Sequence, residues 1–485
     1  MKILVLLFLF LSINSFGQTA LNENFKKSTI KIGEVRFEMF KGTIPVKINH
    51  SDSSSPFLAL PVHIIKSPSK APAEPIVWMA GGPGQSNLKD LPSKEFLTDH
   101  DFILIGYRGV DGPIQLKSKK LGKSMKGLHH KMLSDESLDN LGLQMKQYYD
   151  ELIKQGIDIN NFTILDVIDD FEDVRKQLGY SKINILSGSY GTRVALLYSY
   201  RYPDAIKRSL MVGINPPGHF VWWPENTARI IKTYDSIYKT QSTAGDIPIE
   251  ESIRLAFAKM PRRWSFFRLD ADKIKAASFV LLFEKKNAIM VFDAYRKAAL
   301  KKDYSGLYLM QLASDYILPR VFVYGDLVCK AVSADFDPNI NYRQILRPDS
   351  NALGAPLSML YWGSSASWPM KMIDEEYRKP RMSFTETLMI SGNLDNTNPA
   401  KIATEELLPY LPNGKQVILK DMAHVGDLMW LQRGAFIHMA LKYFDEGLVD
   451  TSLFKYDPIS FTPQKSYNKM AKVYYPVVFI MSLLK

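Results

Sequence analysis

The sequence predicts an α/β protein with a mostly parallel central sheet and one long helical insertion. Nearly continuous apolar runs at Ile76-Val77-Trp78-Met79, Phe102-Ile103-Leu104-Ile105, Ile183-Asn184-Ile185-Leu186 and Ser209-Leu210-Met211-Val212 mark strands covered on both faces. Helical spacing separates the last three, as the crossovers of a parallel sheet require. From about residue 216 to 381 the strand signal gives way to helical periodicity, proline breaks and five of the seven tryptophans, and it resumes at Thr387-Leu388-Met389-Ile390-Ser391. The expected units are an export signal over 1–17, a first part of the core over 18–215, a helical cap over 216–381 and a second part of the core over 382–485.

Composition narrows the function classes. With 46% hydrophobic and 23% charged residues the chain is globular rather than disordered. Met1-Lys2, the apolar run Ile3 to Leu11 and the small residues around Ser15-Phe16-Gly17 read as a signal cleaved near Gln18. The run is too short to span a bilayer, so no stable membrane insertion is expected after cleavage, and the location is the periplasm or the exterior of a bacterial envelope. No cysteine follows the run to carry a lipid, and Cys329, the only cysteine, excludes an intrachain disulfide or a cysteine-rich metal site. The net charge is +11, but lysines and arginines are scattered rather than striped with aromatics, which argues against nucleic-acid binding. No metal or organic cofactor is implied: the adjacent His129-His130 face different directions and have no companion ligands.

The elements follow in order. Alternation over 34–65 gives an antiparallel start to the sheet. After Met79 comes Ala80-Gly81-Gly82-Pro83-Gly84-Gln85-Ser86, a loop of unobstructed backbone N–H groups with neither the Gly-Lys-Ser/Thr ending nor the G-x-G-x-x-G spacing of phosphate loops. The polar stretch 117–156 reads as a helical surface excursion. Thr163 caps a helix with an acidic first turn, and that helix leads into Ile183–Leu186. Ser187-Gly188-Ser189-Tyr190-Gly191-Thr192 is then a sharp strand-to-helix turn with Ser189 at its apex and small residues two before and two after it. Asp395 follows the strand 387–391, and His424 follows the strand 416–420. The helix 428–444 closes the core, and Val477-Val478-Phe479-Ile480-Met481 is read as a packed terminal strand.

Serine, aspartate and histidine at three successive strand ends suit one chemistry. A serine hydroxyl needs a base to act as a nucleophile, and His424 supplies one; Asp395 fixes its tautomer and stabilises its charged form. His219, after the preceding strand, is an outside alternative. The N–H of Tyr190, at the start of the elbow helix, points where an oxyanion would develop, and the glycine loop offers the opposing donor.

Gly81-Gly82-Pro83-Gly84, Gly106-Tyr107-Arg108-Gly109, Ser187 to Thr192, Arg201-Tyr202-Pro203-Asp204, Gly392-Asn393-Leu394-Asp395 and Ala423-His424 together resemble the α/β-hydrolase fold peptidases of the prolyl iminopeptidase and tripeptidyl aminopeptidase type. The resemblance covers roughly residues 70–215 and 385–445. It implies that Ser189 is the nucleophile, Asp395 and His424 its partners, and the N–H groups of Gly82 and Tyr190 the oxyanion hole. It also implies an exopeptidase acting on peptides with a free N-terminus, whose ammonium group acidic cap residues hold. Two departures stand out: Gly106-Tyr107 replaces the usual aspartate-glutamine, and the cap has no residue-by-residue match. Glu225, just beyond the strand that ends at Gly213, is a candidate for the ammonium, beside the reading of a plain surface glutamate. A carboxylic-ester hydrolase on the same triad is the alternative function, and an inactive binding protein on the same scaffold a third.

Overall fold

A computed structural model describes residues 24–242, 246–347 and 352–483; the expected export signal, residues 1–17, lies outside them. Strands β1 (Phe25–Ile32) and β2 (Val35–Lys47) form a hairpin turned at Gly33, whose φ of 61° suits a residue without a Cβ. β3 (Phe57–Ile65) runs antiparallel to β2 and to β5 (His100–Ile105). β4 (Ala73–Met79), β6 (Ile183–Gly188) and β7 (Ile206–Val212) continue the sheet in parallel with β5. After a two-residue-stranded hairpin, β8 (Arg263–Trp264) and β9 (Phe267–Arg268), β10 (Thr387–Gly392) and β11 (Gly414–Leu419) complete it, also in parallel.

The strand order is β1-β2-β3-β5-β4-β6-β7-β10-β11. β5, β6 and β10 are buried along their whole length, as their apolar runs require, whereas β11, at the edge, is buried only at Leu419. The chain steps from β4 to β5 on one side and then crosses to β6 on the other. This reversal opens a crevice at the carboxyl ends of β4 and β6, where open α/β sheets bind ligands. The helix Ile164–Gln177 that feeds β6 starts at a capping box: Asp166 N–H donates to Thr163 Oγ1 at 3.3 Å, and Thr163 N–H donates back to Asp166 Oδ2 at 2.8 Å.

Between β7 and β10 the chain leaves the sheet for a helical layer that includes Pro224–Lys239, Ser305–Val321 and Tyr324–Asp335. Two segments from elsewhere join this layer. The helix Asp135–Lys154, expected as a surface excursion, buries Leu138, Leu141, Met145, Tyr148 and Leu152 at helical spacing in one core with Leu360, Trp362 and Trp368. The C-terminal apolar run is a helix, Tyr475–Leu483, and not the expected strand. Val478 packs in the same core as Leu307 and Tyr308, and Tyr316 Oη donates to the carbonyl of Met481 at 2.5 Å. A short apolar run has no period that separates a buried strand from a buried helix, and here packing against Ser305–Val321 decides.

Arg108, 1% exposed, ties the antiparallel part of the sheet to the helix preceding β6. Its guanidinium donates to the carbonyls of Lys47 (2.8 Å), Ile48 (2.7 Å) and Asn161 (2.7 Å) and to Asp170 Oδ2 (2.7 Å), itself buried. Removing one partner of a buried ion pair strands the other charge. Arg108→Met is therefore expected to lower stability by about 3–5 kcal/mol, measured by urea unfolding; a loss below about 1 kcal/mol, the median for an exposed pair, would contradict this role.

Candidate active site

At the end of β6, Ser189 has φ 51° and ψ −121°, values an L-residue takes only when its surroundings impose them. They do so by contact. A Cβ on Gly191 would stand 1.9 Å from the carbonyl oxygen of Met79, and one on Gly81 would stand 2.8 Å from Ser189 Cβ, so the turn and the loop after β4 close only as glycines. Ser189 N–H donates to the carbonyl of Val212 at 2.8 Å and holds the turn onto β7. Ser187, where glycine is usual, turns its hydroxyl toward the carbonyl of Leu210 at 3.3 Å and stays fully buried.

Ser189 begins the helix Tyr190–Arg201 without capping it by its side chain, so its hydroxyl is left for another partner. That partner is His424: Ser189 Oγ lies 2.9 Å from Nε2, within reach for proton transfer. His424 Nδ1 lies 2.6 Å from Asp395 Oδ2. The other oxygen of Asp395 accepts from the N–H groups of Thr397 (2.9 Å) and Asn398 (2.9 Å) and from Thr397 Oγ1 (2.8 Å). With the carboxylate accepting, Nδ1 carries the proton and Nε2 is free to receive one from the serine. The imidazole is fixed from outside as well: His424 N–H donates to the carbonyl of Phe283 at 3.0 Å, and the Phe283 ring packs edge-on at 5.3 Å. Gly213, with φ 64°, leaves room where a Cβ would meet His424 Cε1 at 3.0 Å.

Complete burial pushes the Asp395 carboxyl up, but the adjacent His424 and the hydrogen bonds from His424, Asn398 and Thr397 outweigh it and hold Asp395 below the ordinary carboxylate value. The carboxylate is thus ionised wherever the histidine can act as a base.

Gly82 (φ 73°) and Tyr190 both line the cavity over Ser189. The loop after β4 is held by residues that sequence reasoning passed over. Asn87 Oδ1 accepts from Ala80 N–H at 2.7 Å while its amide donates to the carbonyls of Trp78 and Ile105, and Asp111 Oδ2 accepts from the N–H groups of Asn87 and Tyr107. Tyr107, one of the two departures from the family pattern, donates its hydroxyl to the carbonyl of Ala80 at 3.1 Å and meets the Tyr190 ring edge-on. An asparagine eight residues past the end of β4 carries no local signal for this role. His219 lies apart from the triad, bonded to Glu406 Oε2 at 2.8 Å. Glu225 is exposed in the first turn of Pro224–Lys239 and is not among the residues lining the cavity; an acid there suits the positive end of a helix dipole.

The cavity has a volume of about 320 Å³. Its wall is chiefly Trp78, Phe220, Trp222, Phe283, Tyr361 and Trp362, with Leu327, Val328 and Val332 from the helix Tyr324–Asp335. Lys89 and Asp90, both exposed, are its charged rim, and Asp90 accepts from Trp78 Nε1 at 3.3 Å. Among the described residues no His, Cys, Asp and Glu cluster has the makings of a metal site.

A family model for the alpha/beta hydrolase fold matches residues 133–426. Among solved structures, a serine hydrolase from the polyaromatic hydrocarbon-degrading bacterium Cycloclasticus zankles is 11% identical, covering 88% of this chain and 100% of its own with a TM-score of 0.38. An alpha/beta hydrolase enzyme from a Medee basin deep-sea metagenome is 12% identical (82% and 98% covered, TM-score 0.38), and a meta-cleavage product hydrolase from Pseudomonas fluorescens is 13% identical (81% and 96%, TM-score 0.39). No curated protein matches by sequence.

The depressed pKa of Asp395 gives a pH prediction. A carboxyl with a lowered folded-state pKa contributes stability that is present above its unfolded value, about 3.9, and is lost as pH falls through the folded value. The stability difference between the wild type and Asp395→Asn should therefore hold steady down to about pH 5 and shrink below about pH 4. Urea unfolding across pH checks this; a difference that already collapses between pH 7 and 5 would contradict it.

Proposed function

The chain belongs to the alpha/beta hydrolase fold family, and on that premise we propose that it is a serine hydrolase working through an acyl-enzyme, most closely an aminopeptidase acting on peptides with free N-termini. The observation that carries the serine reading is the unbroken relay from Asp395 through His424 to an uncapped Ser189 at the floor of an apolar cavity. Ser189 Oγ attacks the substrate carbonyl as His424 takes its proton. The N–H groups of Gly82 and Tyr190 hold the oxyanion, and His424 then delivers the proton to the leaving amine. Water repeats the sequence on the acyl-enzyme and restores Ser189.

What supports a peptide substrate is the combination of the glycine loop with the Ser-Tyr-Gly elbow, which resembles the prolyl iminopeptidase type. With Glu225 outside, Asp90 at the rim is the carboxylate left to meet a substrate ammonium, since it is the one acid among the described lining residues. A second reading, carboxylic-ester hydrolysis, is favoured by the wall itself, whose aromatic side chains suit an apolar acyl group as well as an apolar residue. The same proposal places the enzyme outside the cytoplasm, with removal of residues 1–17; a mature N-terminus at Gln18 would support it.

Ser189→Ala or His424→Ala is expected to lower turnover roughly a thousandfold or more in either reading, and full activity in either variant would refute the assignment. Free and N-acetylated aminoacyl anilides with apolar side chains separate the readings. Acetylation should reduce kcat/KM by at least about tenfold if an ammonium group is recognised, whereas equal cleavage of both would overturn the aminopeptidase reading, and cleavage of neither beside turnover of a p-nitrophenyl ester would favour the ester reading.

A further inference from the structure

The helix Tyr324–Asp335 enters the site from the insertion, some 240 positions along the chain from the glycine loop (Asp326 against Gly84 is a separation of 242). Its first turn grips that loop in both directions. Gly84 N–H donates to Asp326 Oδ2 at 3.0 Å, and Val323 N–H donates to the carbonyl of Gly84 at 2.7 Å. Gly84 has φ 82°, and a Cβ there would stand 2.7 Å from the Val323 carbonyl oxygen, so loop and helix are in direct backbone contact. Asp326 is itself held: its other oxygen pairs with Lys330 one turn on, and both side chains are fully buried. Lys330 also donates to the carbonyl of Arg108 at 3.0 Å, and a Cβ on Gly109 would collide with Asp326 Oδ1. The pair therefore joins the loop after β4 to the turn after β5.

The far end of the helix is anchored to the elbow. Asp335 accepts from Arg193 Nη1 at 3.0 Å, and from the N–H groups of Gly218 (3.1 Å) and Phe220 (2.8 Å). Arg193, fully buried, lies one turn beyond Tyr190 in the elbow helix. One helix thus holds the loop that carries Gly82 and the helix that begins at Tyr190.

We infer that Asp326, paired with Lys330, is a positioning residue for the oxyanion hole, setting the glycine loop through Gly84 N–H. The inference rests on the serine-hydrolase reading. A carboxyl group suits the place: complete burial pushes its pKa up, while the adjacent Lys330 and the bond from Gly84 N–H pull the other way, and one oxygen is left to accept from the loop while the other meets the ammonium. Two residues from Gly84, a small displacement of the loop shifts the Gly82 N–H relative to the carbon under attack, and such donors work only when pre-set.

The test uses the full mature chain with Asp326→Asn and Gly84→Ala. The first weakens the bond and leaves side-chain volume unchanged; the second keeps the ion pair and pushes the loop off the helix. Steady-state kinetics on a p-nitrophenyl ester are read beside inhibition by an alkyl trifluoromethyl ketone, whose serine adduct places an oxyanion in the hole, and thermal unfolding confirms that each variant is folded. The expected result in a folded variant is a fall in kcat of roughly ten- to a hundredfold, part of what loss of an oxyanion donor costs, with KM changed less than about threefold and ketone affinity falling in step with kcat. Folded variants that keep kcat within about twofold, or lose KM and kcat while binding the ketone as tightly as wild type, overturn the inference. A wild type that no fluorophosphonate labels overturns the serine reading and this inference together, whereas a labelled wild type with unchanged variants overturns this inference alone.

Discussion

The catalytic edge depends on a steric constraint before any polar interaction: the backbone of the elbow touches the backbone of the loop after β4. Gly191 lies against the carbonyl of Met79 and Gly81 against the β-carbon of Ser189, with no space for a side chain at either. This contact holds Ser189 at a positive φ, at a cost of about 1–3 kcal/mol that the surrounding sheet must offset. In return the hydroxyl is turned out of the helix cap toward His424, and the glycine loop is brought beside the same carbon. Relaxing the elbow would break the Ser189–His424 contact and move the glycine loop away from Tyr190 at once.

Polar groups then convert that contact into fixed geometry. Asn87 and Asp111 lace the loop after β4 to the turn after β5, and Thr397 and Asn398 hold one oxygen of Asp395 so that the other faces the imidazole. On the opposite bank Asp427 Oδ2 accepts from the N–H groups of Ala423 and Lys285, joining the histidine loop to the helical layer. The inserted helices thus contact both the histidine loop and the glycine loop, so the layer above the sheet helps to fix the geometry of the site.

What the sequence made legible and what it hid divide along this line. Strands β4 to β7, β10 and β11 and the residues at their ends were readable because each announces itself locally, as an apolar run followed by a turn; Ser189, Asp395 and His424 needed only chain order to be grouped. The supports were not readable. Asn87 is an ordinary polar residue near a glycine loop until the carbonyl of Ile105 is seen beside it, and Asp326 finds Gly84 across 242 positions. Glu225, which the sequence offers either as a binding acid or as a plain surface glutamate, occupies the first turn of a helix and faces solvent. The C-terminal run had the composition of a strand, and only its contact with Tyr316 and Leu307 reveals a helix.

The distribution of polarity in the cavity bears on how a substrate is selected. Aromatic side chains from distant parts of the chain form the inner wall, and the charges of Lys89 and Asp90 stand at the rim. Apolar burial is graded, about 0.8 kcal/mol for each methylene group, so the inner wall ranks substrates by size and shape without sharp cut-offs. A charged group is discriminated sharply only where its partner is desolvated, and an exposed rim pair is screened by water. An ion pair made by Asp90 with any bound cation would therefore gain strength only to the extent that the bound molecule covers the rim and excludes solvent from it. A charge on a substrate would then count most where the substrate is long enough to reach from Ser189 to the rim and cover it.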